Sequence, residues 1–171
     1  MAEAAGAVLR VLRAVEDAKA FQKTVLLARI RRHFAGQLAG RSIAVWDLAL
    51  KPYTDDMREA PRRVLLEGPW NAGASVRAYD PAAMYENRRI YGERADLQLC
   101  DSAPGAVEGA DALAIVTEWQ EFRSPDFDTI KRSLASPVIF DGRNLYDPLQ
   151  MNRLGFIYYA IGRGDSLGRS I

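Results

Sequence analysis

Three cations in this chain stand where cations are useful. Lys51 and Arg58 follow the apolar run Ser42–Leu48, and Arg143 follows the apolar run Val138–Asp141. A lysine offers a phosphate a point charge, while an arginine can hold two phosphate oxygens at once. Helix N-termini add backbone N–H groups that favour the same anions. If both apolar runs are strands of one open α/β sheet, their carboxyl ends are where a ligand lies. The first such end brings Leu50 and Lys51, with Arg58 at the start of the next helix. Another brings Thr117, Glu118 and Trp119, and a further one Asp141, Gly142, Arg143 and Asn144. Together they describe a site for a phosphorylated ligand. The plainer alternative is that Lys51 and Arg143 pair on the surface with Asp55, Asp56 or Asp141.

Other residues carry weaker signals. Asp80 ends a strand as the ribose-binding acid of dinucleotide folds does, but no Gly-x-Gly-x-x-Gly precedes it, and helix capping explains it equally. Cys100 has no histidine nearby in sequence to activate it and reads as structural. Trp119 and Phe122 read as packing residues, and Glu118 as a residue that orients a loop. His33, with Arg29, Arg31 and Arg32, falls in the last turns of a helix, where positive charge suits the dipole. His33 is therefore expected at the surface or in a cap.

The elements that must position these groups follow from periodicity. Residues 4–34 read as one long helix, with Val8, Val11, Val15, Ala18, Phe21, Val25 and Ala28 at three- and four-residue spacing. Leu26, Ile30 and Phe34 form a second apolar row. Two rows need two surfaces: the domain that follows, and a partner helix or another part of the protein. Beyond a short linker, strands alternate with helices. Strands are expected at Ser42–Leu48, Ser75–Ala78, Asp96–Cys100, Ala112–Thr117, Val138–Asp141 and Phe156–Gly162. Helices are expected at Arg58–Ala72, Pro81–Arg88, Ser102–Val107, Asp126–Leu134 and Pro148–Leu154. Gly68-Pro69 should kink or break the first of these near its end. Pro81 should sit in the first turn of the second, and the tail from Gly164 should fray. The implied fold class is α/β, a Rossmann-like, mostly parallel sheet with helices on both faces, preceded by the long helix. Residues 1–35 form the connecting or dimerisation helix and residues 36–171 the sheet domain.

Composition narrows the partners. The chain has 171 residues and a formal net charge of +1, too balanced for nucleic acid or an acidic membrane as the main partner. One cysteine permits no internal disulfide and fits a reducing compartment. One histidine and no Cys-x-x-Cys leave no metal cluster. No apolar run spans a bilayer, and the N-terminus lacks a signal-peptide plan. A soluble, cytoplasmic protein is expected.

Four blocks in order then carry a resemblance: LKPYTDDMREAP (Leu50–Pro61), GASVRAYDPAAM (Gly73–Met84), ADALAIVTEWQEF (Ala110–Phe122) and PVIFDGRNLYDP (Pro137–Pro148). The chain resembles the UDP-glucose 6-dehydrogenases, within the wider nucleotide-sugar dehydrogenases, from about Val8 to Arg163. The stretch around Val15–Ile30 resembles the long helix joining that family's two Rossmann-like domains. The resemblance implies oxidation of a sugar's primary alcohol to a carboxylate in two steps, each reducing NAD, with a cysteine nucleophile. It implies that Leu50, Lys51 and Arg143 contact the UDP-sugar and that Arg58 reaches NAD held by the other domain. The NAD-binding domain and the nucleophilic cysteine would precede Met1, and Cys100 does not match that cysteine. The chain alone is thus expected to bind a nucleotide sugar without completing the oxidation. GDP-mannose or a UDP-N-acetylhexosamine is the alternative substrate, and a non-catalytic binding or dimerisation module the alternative role.

The sequence also departs from the family pattern. Asp47 stands where a glycine is usual, Leu50 where phenylalanine is, and Tyr53 where asparagine is. A positive φ at position 47 would strain an aspartate more than a glycine. An ionised Asp47 would also repel a nearby pyrophosphate, by on the order of 1 kcal/mol. Pro69 sits where the family helix continues, and an interior proline costs about 3 kcal/mol.

Overall fold

The structure, a computed structural model, describes residues 24–48, 61–162 and 165–166. Its strands are β1 (Ser42–Trp46), β2 (Ser75–Tyr79), β3 (Leu97–Leu99), β4 (Ala112–Ile115), β5 (Val138–Asp141), β6 (Ile157–Ala160) and β7 (Asp165–Ser166). Its helices are α1 (residues 24–33), α2 (Pro61–Asn71), α3 (Met84–Tyr91), α4 (Ala103–Val107), α5 (Phe127–Ser133) and α6 (Pro148–Arg153). A single 3-10 turn, Gln120–Phe122, follows β4.

The strands form one sheet in the order β3-β2-β1-β4-β5-β6-β7. The first six in this order are parallel, and β7 is antiparallel to β6. This is the doubly wound arrangement, whose strand order reverses between β1 and β4 and opens a crevice at their carboxyl ends. β1 shows why the sequence settles there. Ile43 and Val45 face one core with Val76, Ala78, Ala112 and Ala114, while Ala44 and Trp46 face the other with Leu113 and Ile115. A strand buried on both faces needs an unbroken apolar run, as β1 and β4 have.

The first core is covered by α1 and α2. Leu26, Leu27 and Ile30 bury there, so the second apolar row expected of the long helix packs on its own sheet. Of the other row, Val8, Val11, Val15, Ala18 and Phe21 lie outside the described residues, while Val25 is half-buried and Ala28 exposed. The helices of the second core are α4, α5 and α6, through Ala106, Val107, Ile130 and Met151. The Trp46 indole ties β1 to α4 by donating to the Ala103 carbonyl at 2.9 Å and stacks on Phe122 at 4.9 Å. Ser102 and Asp126 cap α4 and α5 as expected, accepting from Gly105 N and Thr129 N.

Four expectations are corrected. First, α2 is not broken at Gly68-Pro69 and runs to Asn71. Pro69 falls in the last turn, where its missing N–H removes one bond, and its carbonyl is taken by the amides of Ala72 and Ala74. A Cβ on Gly68 would meet Leu27 Cδ2 at 2.4 Å, so that glycine lets α2 approach α1. Second, α3 begins at Met84, after Pro81 rather than with it. The Asp80 carboxyl accepts first from Ala82 N and Ala83 N, which delays the helix by one turn. Third, within the tail expected to fray, Asp165 and Ser166 pair as β7 opposite Tyr159 and Tyr158, while residues 167–171 lie outside the described residues. Fourth, His33 is half-buried, bonded through Nδ1 to the Tyr159 hydroxyl at 3.0 Å and set edge-on to Phe140. Burial, then the charge of Arg41, holds its pKa below the ordinary value. The end of α1 is closed by backbone: Gly36 N donates to the Arg31 carbonyl, and Ala35 and Gly36 both take positive φ.

Candidate functional site at the carboxyl edge of the sheet

The exits of β1, β4 and β5 meet at this edge. β1 ends at Trp46, and Asp47 N extends the ladder by donating to the Tyr79 carbonyl at 2.8 Å. Asp47 then turns the chain with φ 75°. The next amide, Leu48 N, donates to Asp80 Oδ2 at 2.6 Å. The exit of β1 is therefore pinned to the exit of β2 just before residues 49–60. Leu50, Lys51 and Arg58 belong to that segment and lie outside the described residues.

β5 ends on a turn built by Asp141. Its Oδ1 accepts from Arg143 N at 2.7 Å, and its Oδ2 accepts from Leu145 N and the Tyr158 hydroxyl, each at 2.7 Å. A buried carboxylate with three donors fixes the turn firmly. Burial, then the Asp141 charge, raises the pKa of the Tyr158 phenol and keeps it a donor. Gly142 has no room for a side chain: a Cβ there would sit 3.0 Å from the Ile115 carbonyl oxygen. Asn144 takes a left-handed φ of 57° and donates to the Ile161 carbonyl. Arg143 is thus presented to solvent by residues that are themselves fixed. Its guanidinium meets Glu118 Oε1 at 3.2 Å, and Arg123 meets Glu118 Oε2 at 3.2 Å. Such half-exposed pairs hold weakly, so an anion can take Arg143 from Glu118 at little cost.

These contacts settle several sequence readings. Asp141 builds the turn through backbone amides, and the acid that pairs with the Arg143 side chain is Glu118. Asp80 accepts from backbone amides at the exits of both β1 and β2, the capping reading of it rather than the ribose-binding one. With Asp80 so engaged and no Gly-x-Gly-x-x-Gly in the β1–α2 segment, the described residues do not fit a resident NAD. Cys100 is buried, and burial pushes its thiol up, with Arg77 partly opposing. Trp119 packs as expected and also donates from Nε1 to Asp47 Oδ1 at 2.7 Å.

The sequence reading missed one constellation. Asp47 and Asp80 are both buried, at 0% and 1% exposure, at the neighbouring exits of β1 and β2. Burial, then the Asp80 carboxyl, pushes Asp47 up to about 8, with Thr117 and Trp119 opposing. The signal was available: two apolar runs each end in aspartate, and the register Trp46↔Tyr79 sets those aspartates side by side. Among the described residues no helix is long and apolar enough to cross a membrane.

Residues 44–148 match the UDP binding domain of the UDP-glucose/GDP-mannose dehydrogenase family. The chain belongs to this family. A UDP-glucose 6-dehydrogenase of Pseudomonas aeruginosa is 50% identical over 165 residues, which is 95% of this chain and 36% of that protein. The UDP-glucose 6-dehydrogenase TuaD of Bacillus subtilis is 35% identical, over 95% of this chain and 35% of that protein. The chain thus spans about a third of the length of these relatives. Among solved structures, the UDP-D-ManNAc dehydrogenase of Pyrococcus horikoshii superposes with a TM-score of 0.64 at 34% identity, covering 88% of this chain and 32% of that one. A UDP-glucose dehydrogenase of Pyrobaculum islandicum superposes at 0.66 with 26% identity, covering 87% of this chain and 30% of that one. The edge formed by β1, β4 and β5 is the candidate site of this UDP-binding domain.

Proposed function

We propose that this chain supplies the UDP-sugar-binding part of an NAD-dependent UDP-glucose 6-dehydrogenase. The observation that carries the reading is the rigid Asp141–Asn144 turn, which holds Arg143 at the same sheet edge from which the Lys51 segment departs. Arg143 holds the nucleotide's phosphates. Lys51 adds a second positive charge, and Leu50 contacts the UDP-sugar beside it. Arg58 reaches toward NAD, which another domain holds. NAD, when bound there, supplies the hydride acceptor; this chain's residues bind and orient the sugar nucleotide. The buried Cys100 takes no part, so these 171 residues bind the sugar nucleotide without turning over NAD. Residues 1–35 join this domain to its neighbour and pair two copies as a homodimer, in the cytoplasm.

Titration calorimetry of the 171-residue chain with UDP-glucose tests the reading. Binding is expected, with loss of affinity of at least about tenfold when Arg143→Ala removes a charged phosphate contact. Absence of heat at millimolar ligand would overturn it. A second reading has its own support: the Pyrococcus horikoshii relative by structure is a UDP-D-ManNAc dehydrogenase. UDP-N-acetylmannosamine and GDP-mannose in the same titration decide among the sugars.

A further inference from the structure

Helix α1 does more than cover the first core. Leu26, Arg29, Ile30 and His33 recur at three- and four-residue spacing, so they share one face of the helix. That face meets the half of the sheet that ends on the Arg143 turn. Leu26 and Ile30 are buried in the core that also holds Val138 and Phe140 of β5. The His33 ring stands edge-on to Phe140 and bonds the Tyr159 hydroxyl of β6. The half-buried Arg29 donates from Nη1 to the carbonyl of Ala160, the last residue of β6.

These contacts end beside the Arg143 turn. β6 pairs with β5 so that Ala160 lies opposite Asp141. The next carbonyl, that of Ile161, accepts from Asn144 Nδ2 at 3.0 Å. Helix α1 and the turn therefore hold consecutive carbonyls of one backbone stretch, Ala160 through Arg29 and Ile161 through Asn144. Leu26 makes a second link. A Cβ at Gly142 would lie 3.4 Å from Leu26 Cδ2 and 3.0 Å from the Ile115 carbonyl oxygen, so Gly142 is enclosed between α1 and the exit of β4. Gly142 N donates to that same Ile115 oxygen at 2.9 Å, which fixes it there. Arg143 thus projects from between two residues that α1 supports, Gly142 directly and Asn144 by way of β6. A two-point hold on a phosphate depends on the direction of the guanidinium, and that direction depends on the footing of the turn.

We propose that Arg29 and Leu26 are positioning residues for Arg143, so that the seating of α1 sets the affinity of this domain for its nucleotide sugar. This rests on the reading of Arg143 as a phosphate contact. With α1 seated, the Ala160–Ile161 backbone and Gly142 are held, and the turn keeps one direction. Loss of the Arg29 bond gives Ala160 and the neighbouring Ile161 carbonyl more freedom. Asn144 follows that carbonyl, and Arg143 samples directions that meet no phosphate. Asp141 still holds the amides of Arg143 and Leu145, so the turn stays folded and only its aim is lost.

UDP-glucose calorimetry on the chain, run beside NMR of the ligand-free Arg143 Nε–H and Asn144 side-chain amide, tests this. Arg29→Ala should weaken UDP-glucose binding about three- to tenfold. In the Arg143→Ala background the same change should alter affinity by less than about twofold, because the group it aims is gone. Arg29→Lys keeps a donor for the Ala160 carbonyl and should restore most of the wild-type affinity. Without ligand, Arg29→Ala should shift the Arg143 Nε–H signal and speed exchange of the Asn144 side-chain amide, with the β1 amides left as in wild type. Unchanged binding, an equal loss in both backgrounds, or a loss that Arg29→Lys does not restore overturns the positioning role. So does exchange that quickens in β1 as much as at Asn144, since that marks a general loss of stability. Absence of UDP-glucose binding by the wild-type chain overturns the functional reading instead, and the ligand-free signals still decide whether α1 holds the turn. Leu26→Val, which draws back from Gly142, gives the same readouts should Arg29→Ala fail to fold.

Discussion

Asp47 concentrates the opposing demands on this site in one residue. Its φ of 75° is a conformation an L residue enters at a cost of about 1 kcal/mol or more. The strain expected from replacing the family's usual glycine is therefore real. The expected repulsion of a pyrophosphate is not fixed, because a protonated Asp47 carries no charge. The consequence for stability has a definite sign. The folded pKa, about 8, lies above the ordinary 3.8, so the folded chain keeps a proton that the unfolded chain releases. Stability from this group is complete below about pH 4 and is lost as pH rises through about 8. Each unit of that interval is worth up to about 1.4 kcal/mol before relaxation. Urea unfolding of wild type should show at least about 2 kcal/mol less stability at about pH 9 than at about pH 5. Asp47→Asn should remove most of that slope, and an unchanged slope would place its origin elsewhere. Glu118 gives a second prediction at this scale. Glu118→Gln frees Arg143 from its acid, so UDP-glucose affinity should rise a few-fold while stability moves by less than about 1 kcal/mol. Calorimetry that shows weaker binding would mean that Glu118 aims Arg143 rather than competing for it.

At the scale of elements, most of the sheet was legible because its signals are local. The apolar runs behind β1, β4 and β5 and the caps Ser102 and Asp126 need no knowledge of distant residues. The errors arose where a specific side-chain contact, near or far in sequence, overrode a general rule. Pro69 argued for a break, yet the packing of α2 on α1 through Gly68 carries the helix past it. Pro81 argued for a helix start, yet the Asp80 side chain takes the first amides. His33 looked like a cap until β6 brought Tyr159 to it. Arg143 was legible as a cation at a strand end; Glu118 as its partner was not, since 25 residues separate them. The α1–α2 contact can be tested directly. Gly68→Val places branched carbons where Leu27 already lies, 2.4 Å from even a first carbon. Overpacking of this kind costs about 1–3 kcal/mol. Thermal unfolding should show that loss, and Leu27→Ala in the same chain should restore part of it by opening space.

For the whole molecule, the strand order 3-2-1-4-5-6 assembles at one edge residues that are remote in sequence: the exit of β1, the Glu118 loop after β4 and the Arg143 turn after β5. None of these groups is near the others once the sheet is lost. A ligand that needs two of them binds only the folded chain, and its binding energy adds to folding stability. At a ligand concentration about a hundred times Kd this adds about 2.7 kcal/mol. For a domain of this size each kcal/mol moves Tm by about 2–4 °C. Saturating UDP-glucose should therefore raise the Tm of the chain by about 5–10 °C. The double variant Lys51→Ala, Arg143→Ala should keep the unliganded Tm within about 2 °C, since neither is an apolar side chain and Arg143 is half-exposed, and should lose the ligand-induced rise. UDP alone should retain most of the shift if the phosphates are the main contact, and free glucose should produce none. A rise that survives the double variant would locate the nucleotide away from this sheet edge, on a surface that the strand order does not assemble.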